Sequence, residues 1–166
     1  MALRPEDRLQ VHCAKYLKAA IPAPGFYSGI EHARKQTLYS GMVQKAKGIK
    51  RGLADMHVLY LGRYIEIELK VNSPISPPQK DRGKRVIENG FNWSVIKSVV
   101  ELHDYLLECG VPVMPSMRVL AMQYDADLSV APPKTKASAR PPRQPNPTAK
   151  DIKRAAAWYA IPENME

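Results

Sequence analysis

Asp55, Glu68 and Lys70 are the residues of this chain whose types and spacing best suit catalysis. They lie in the stretch DMHVLYLGRYIEIELK, residues 55 to 70, where two β-rich runs flank a tight Gly62-Arg63 turn and read as a hairpin. In the second run Ile65, Ile67 and Leu69 face one side while Tyr64, Glu66, Glu68 and Lys70 face the other. A two-residue turn at Gly62-Arg63 pairs Leu61 with Tyr64, which sets His57 opposite Glu68 and Asp55 opposite Lys70. Directly opposed residues project from the same face, so Asp55, Glu68 and Lys70 share one. A three-residue turn would put Asp55 among the isoleucines, which burial disfavours.

Two carboxylates and an ammonium at a sheet edge suit work on a phosphodiester. Hard oxygen ligands from Asp55 and Glu68 can hold Mg²⁺, which keeps several waters and also takes a phosphate oxygen. The metal stabilises charge on the scissile phosphate and can lower the pKa of the attacking water. Lys70 can orient that water or neutralise charge developing on phosphorus. The plain alternative is a solvated strand face carrying an ordinary Asp–Lys or Glu–Lys pair. His57 could tune Glu68 or be structural, and Glu66 reads as a surface or hairpin-pairing residue.

These residues need elements to position them. Residues 5 to 20 predict a helix, with Pro5 at a first helical position and Leu9, Cys13, Tyr16, Leu17 and Ala20 on one stripe. A short strand is expected over 26 to 31. A helix over 36 to 46 carries Leu38, Met42 and Ala46, and the basic loop KGIKRGLA follows it. After the hairpin, Ser76 caps a helix running to Gly90, with proline first and Gln79 at its third position. A strand over 92 to 97 leads to a helix opened by Ser98, with Glu101 three residues on, and closed by Gly110. The order predicts a mixed α/β domain with a small sheet flanked by helices.

Asp55 followed after a turn by Glu68-Leu69-Lys70 resembles the PD-(D/E)xK nuclease signature. The context is more specific: KGIKRGLAD before the aspartate, IEIELK on the next strand and SPPQ opening the following helix. Together they resemble the virus-type replication-repair nuclease family, VRR-NUC, over roughly residues 5 to 107. Ala54 stands where that family has proline, which leaves the ligand itself in place. The resemblance implies a restriction-endonuclease-like core and a metal-facing glutamate on the first helix. Glu6 matches that glutamate, and Asp7 is its neighbour and competitor. Gln79 matches the family's glutamine on the helix after the lysine, although a capping-box glutamine needs no catalytic explanation. The expected site thus takes Mg²⁺ or Mn²⁺ on Asp55, Glu68 and Glu6, with the Leu69 carbonyl as a further ligand, and Lys70 assists hydrolysis. The implied function is a structure-selective endonuclease on branched DNA in replication, repair or recombination, acting as a homodimer. The alternatives are a DNA-binding protein that keeps the fold without catalysis, and a nuclease directed at RNA.

Composition agrees with a polyanionic partner. Lysine and arginine total 25 against 16 acidic residues, a formal charge of +9. Lys45, Lys47, Lys50 and Arg51 lie just ahead of Asp55, and Lys80 rides on the following helix; these charges could meet backbone phosphates, the plain alternative being a solvated loop and helix face. Cys13 and Cys109 form no CxxC pair and the histidines are scattered, which argues against a disulfide framework or a zinc site. No run of 18 apolar residues occurs and the N-terminus has no apolar signal region, so a cytoplasmic protein is expected, with no membrane partner and no organic cofactor. The nuclease domain is assigned to residues 1–110 and an extension to 111–130. Residues 131–147 hold six of the chain's 15 prolines and four basic residues, which predicts a stiff cationic linker. A short helix within 148–166 carries Trp158 and Tyr159, which could stack on bases or pack on the domain.

Overall fold

The strand over Arg63–Leu69 is buried on both faces from Ile65 onward, and the rest of the domain is arranged to cover it. The computed structural model describes residues 3–30, 47 and 52–130. The helix expected over 36–46, the linker over 131–147 and the C-terminal helix lie outside them. The chain divides into two units, Met1–Glu31 with Gly52–Ala137, and His32–Arg51 with Ser138–Glu166. All elements named below belong to the first.

These elements are α1 (Pro5–Ala20), β1 (Phe26–Gly29), β2 (Met56–Tyr60), β3 (Arg63–Leu69), α2 (Pro77–Glu88), β4 (Asn92–Ile96), α3 (Val99–Glu108) and α4 (Met117–Ser129). The four strands form one sheet in the order β1-β2-β3-β4. β1, β2 and β3 pair antiparallel, while β3 and β4 run parallel because α2 forms the crossover between them. The expected small mixed sheet flanked by helices is what the structure has.

Alternation divides the work of the two sheet faces. Met56, Val58, Ile65 and Ile67 form one face and pack with Leu9, Tyr16 and Leu17 of α1 and with Leu102 and Leu106 of α3. Each such aliphatic side chain, fully buried, contributes about 1.5–3 kcal/mol before entropy is counted. The Tyr16 hydroxyl and His103 Nδ1 are hydrogen-bonded at 2.6 Å inside this layer, so neither polar group is left bare.

The opposite face carries Glu66 and Glu68, and α2 covers it. Gly83 of α2 makes close approach possible, since a Cβ there would sit 2.6 Å from the Trp93 ring on β4. Glu66 is therefore no surface residue. It is buried, it accepts a hydrogen bond from the Tyr64 hydroxyl at 2.8 Å, and Arg82 of α2 grips both its carboxylate oxygens. Burial, then Glu66, pushes the Tyr64 hydroxyl up to about 12, so it stays a donor.

The folded unit does not stop at residue 110. α4 packs on α1 and α3, and Asp125 accepts hydrogen bonds from the Val99 and Val100 amides at 2.7 and 3.0 Å. A helix starts with amides that have no partner within it, and here a carboxylate from another helix supplies one. Arg8 of α1 in turn donates to the Asp127 and Val130 carbonyls at the far end of α4.

Candidate active site

The hairpin turn decides how the acidic residues meet. Tyr60 pairs with Arg63, so the turn is Leu61-Gly62 and not Gly62-Arg63. Both turn residues have positive φ, 43° and 79°, as a tight hairpin turn requires. Glycine takes the second position without strain, and Arg63 stays in the extended strand. The register consequently slides by two residues: His57 opposes Glu66 rather than Glu68, and Met56 opposes Ile67. One step further along the ladder, Asp55 falls opposite Glu68 rather than Lys70. A slip of two leaves every side chain on its original face, so Asp55 and Glu68 still share one. His57 is placed against the Tyr64 ring, 6.0 Å between centroids.

Each acidic group is held by a specific donor. The Leu69 amide donates to Asp55 Oδ2 at 2.8 Å. In a strand a residue's N–H and C=O leave by the same edge, which aims the Leu69 carbonyl toward Asp55 as well. Glu68 is fully buried, and its Oε1 lies 2.8 Å from Lys70 Nζ. Burial works against charge on Lys70, but the hydrogen bond it donates to Glu68 and the charges of Glu68, Glu6 and Asp55 outweigh it and hold the lysine above its ordinary value. Lys70 is thus an ammonium at neutral pH.

The start of α2 supplies the next partner. Gln79 Oε1 accepts from the Ser76 amide and hydroxyl, both at 2.9 Å, which leaves its Nε2 to donate to Glu68 Oε1. The cap and the contact with Glu68 use opposite ends of one amide. The loop ahead of Asp55 closes on the same turn of helix. Gly52 has φ +80°, and a Cβ there would come within 2.5 Å of the Pro78 carbonyl oxygen. The second glycine in KGIKRGLAD, Gly52, is therefore required twice, by its backbone angle and by its closeness to α2.

α1 brings the remaining carboxylates. Asp7 pairs with Arg4 at 2.8 Å, whereas Glu6 accepts from the hydroxyl of Ser73, in the loop after Lys70. Of the two competitors, Glu6 is the one tied to that loop. Gln10, one turn further on, donates to the Asp55 main-chain carbonyl at 3.2 Å. Neither Ser73 nor Gln10 stands out in the sequence, since a loop serine and a helix glutamine are ordinary there. Glu66 and Arg82 were equally hidden, because only the covering helix makes that face an interior.

The donor set suits a hard divalent cation. Asp55, just ahead of β2, and Glu68 and the Leu69 carbonyl of β3 are oxygen donors of the kind Mg²⁺ or Mn²⁺ takes. Among the described residues no group of three or more histidine, cysteine or acidic side chains is gathered to hold a metal. The fit is thus two carboxylates and a main-chain oxygen, with water and phosphate completing the shell as Mg²⁺ commonly allows. Of the basic residues expected to meet phosphate, Lys47 and Lys80 are exposed, and Lys45, Lys50 and Arg51 lie outside the described residues.

No protein-family model matches this chain, and no curated protein does. A solved structure titled "VRR_NUC domain" is similar to it, with 21% identity, a TM-score of 0.43, and coverage of 64% of this chain and 97% of that one. A likeness of that size carries no weight beside the side-chain geometry. Among the described residues no helix is long and apolar enough to cross a membrane.

Proposed function

We propose that this chain is a divalent-metal-dependent nuclease of the VRR-NUC kind, hydrolysing phosphodiester bonds in DNA. The observation that carries the reading is Glu68: a fully buried carboxylate held by Lys70 and by Gln79 of another element, opposite Asp55. A buried ion pair is a poor way to stabilise a sheet, since apolar residues of similar size serve as well or better. Three elements converging on one such pair at a strand end point to chemistry instead.

Asp55 and Glu68, with the Leu69 carbonyl, would hold Mg²⁺ or Mn²⁺. When bound, the ion would supply charge stabilisation at the scissile phosphate and a more acidic water. The chain's own groups have separable tasks. Lys70, kept protonated by its acidic neighbours, serves as a donor and a positive charge, not as a base. It orients the attacking water or offsets charge developing on the phosphoryl oxygens. Gln79 fixes the Glu68 carboxylate, and the Leu69 amide fixes that of Asp55. Preference for branched duplex, a role in replication, repair or recombination, and a homodimer placing two sites on two strands all rest on the family resemblance.

The test is cleavage of labelled four-way junction, flap and linear duplex DNA, and of matched RNA, with Mg²⁺, Mn²⁺ or EDTA. Metal-dependent cutting that Lys70→Ala lowers roughly 100- to 1,000-fold is the expected result. A folded wild type that binds DNA but cuts nothing with either metal would replace this reading with a binding protein. Faster cutting of RNA would change the substrate and keep the site.

A further inference from the structure

Asp55 belongs to no regular element: it precedes β2, and its carboxylate must still be presented at a fixed place beside Glu68. Its main-chain carbonyl accepts two hydrogen bonds, from the Ile30 amide at 2.7 Å and from Gln10 Nε2 at 3.2 Å. The first comes from just beyond β1 and continues the sheet. The second comes from a side chain of α1, a different element. The contact is close-fitting, since a Cβ on Gly29 would lie 3.3 Å from that same Nε2.

Glu6 and Gln10 are four apart and so lie on one face of α1. Glu6 reaches the loop after β3 through Ser73, and Gln10 reaches the residue before β2. The first turns of α1 therefore bracket the start of β2, just after Asp55, and the end of β3, which carries Glu68. We propose that Gln10 is a positioning residue of the nuclease site, pinning the Asp55 main chain so that its carboxylate stays on the Leu69 amide, beside Glu68. The assignment of a catalytic consequence rests on the nuclease reading, whereas the positioning itself does not.

If Gln10 acts in this way, losing its donor lets the Asp55 segment move against the end of β3. The Leu69 amide, bonded to Asp55 Oδ2, is the reporter. Loss of one hydrogen bond of ordinary strength predicts about fivefold to tenfold faster amide exchange there. The Ile65 and Ile67 amides, in the middle of the ladder, should keep their protection. Binding of Mn²⁺, which needs an ordered pair of carboxylates, should weaken by about tenfold, in the range for residues that orient a metal ligand. Cleavage should fall through kcat, with KM for DNA unchanged, because Gln10 meets no substrate.

The experiment uses the full chain as wild type, Gln10→Ala, Gln10→Glu and Lys70→Ala. Gln10→Glu keeps the shape of the side chain and removes the donor, so it separates loss of the bond from loss of packing. Amide exchange by NMR and Mn²⁺ calorimetry are measured beside cleavage and thermal unfolding. Faster exchange at Leu69 with β3 intact, weaker Mn²⁺ binding and a kcat loss in both Gln10 variants would establish the proposal. Wild-type exchange at Leu69 in both variants would overturn it, whatever the cleavage assay gives. So would a uniform rise in exchange along β3, which would mark Gln10 as a stability residue only. If the wild type neither cuts DNA nor binds Mn²⁺ yet Leu69 responds as expected, the positioning stands and the nuclease reading fails.

Discussion

Lys70 and Glu68 illustrate how one residue's surroundings set its role. The raised pKa of Lys70 means that its ion pair contributes stability at every pH below the ordinary lysine value. That contribution is lost only as pH rises through the still higher folded value. Urea midpoints of wild type and Lys70→Met should therefore differ by a constant amount between about pH 7 and 9. A gap that closes within that window would show a lysine that deprotonates early, and hence one able to act as a base. Gln79 makes a second prediction at this scale. Gln79→Ala removes both the Glu68 contact and half of the helix cap, so cleavage should fall roughly 10- to 100-fold. The cap accounts for only about 1 kcal/mol of stability. A variant that loses stability to that extent but cuts as the wild type does would leave Gln79 as a cap alone.

Elements meet through contacts that tolerate little change. Gly83→Ala should favour α2 as an isolated helix by about 1 kcal/mol. In the protein, however, the added methyl would meet the Trp93 ring at 2.6 Å and push α2 from β4, at a cost of about 1–3 kcal/mol. Net destabilisation in urea is the expected outcome, and a stabilised variant would mean that α2 shifts freely. The Glu66–Arg82 pair fastens the same helix to β3. Arg82→Ala should cost about 2–3 kcal/mol, less than for a fully buried pair because Arg82 is about a third exposed. These two contacts set where the N-terminus of α2, and with it Gln79, stands over Glu68.

For the whole molecule, the positive charge is the property that acts at a distance. A formal charge of +9 favours encounter with nucleic acid and makes it salt-dependent. Four of the basic residues fall between 131 and 147, ahead of a segment with Trp158 and Tyr159. If that tail is an electrostatic tether, ending the chain before Ala131 should weaken DNA binding. It should also flatten the plot of log affinity against log salt by about 0.9 for each phosphate that is no longer neutralised. Unchanged binding and slope would reduce the segment to a linker. The truncation keeps α4, which the fold needs because Asp125 caps α3.

Local chemistry was enough to determine much of this protein. Pro5 and the apolar stripe of α1, the SPPQ cap, Ser98 with Glu101, and the alternation in IEIELK each act within a few residues, and the elements formed where these signals lie. The sharing of one face by Asp55 and Glu68 was also legible, because side-chain direction in a strand depends on parity alone. The register itself was not, since Leu61 adopts positive φ against its own preference and so moves the turn by one residue. Only the tertiary structure made an interior of the Glu66 face, because that depends on α2 folding back over β4. It alone gave α4 a place, since the helix has no strong cap of its own and is held by Arg8 and by what it caps. And it alone brought Gln10 and Ser73 to the site: they stand 45 and 67 residues from their partners, Asp55 and Glu6, a distance over which sequence spacing carries no information.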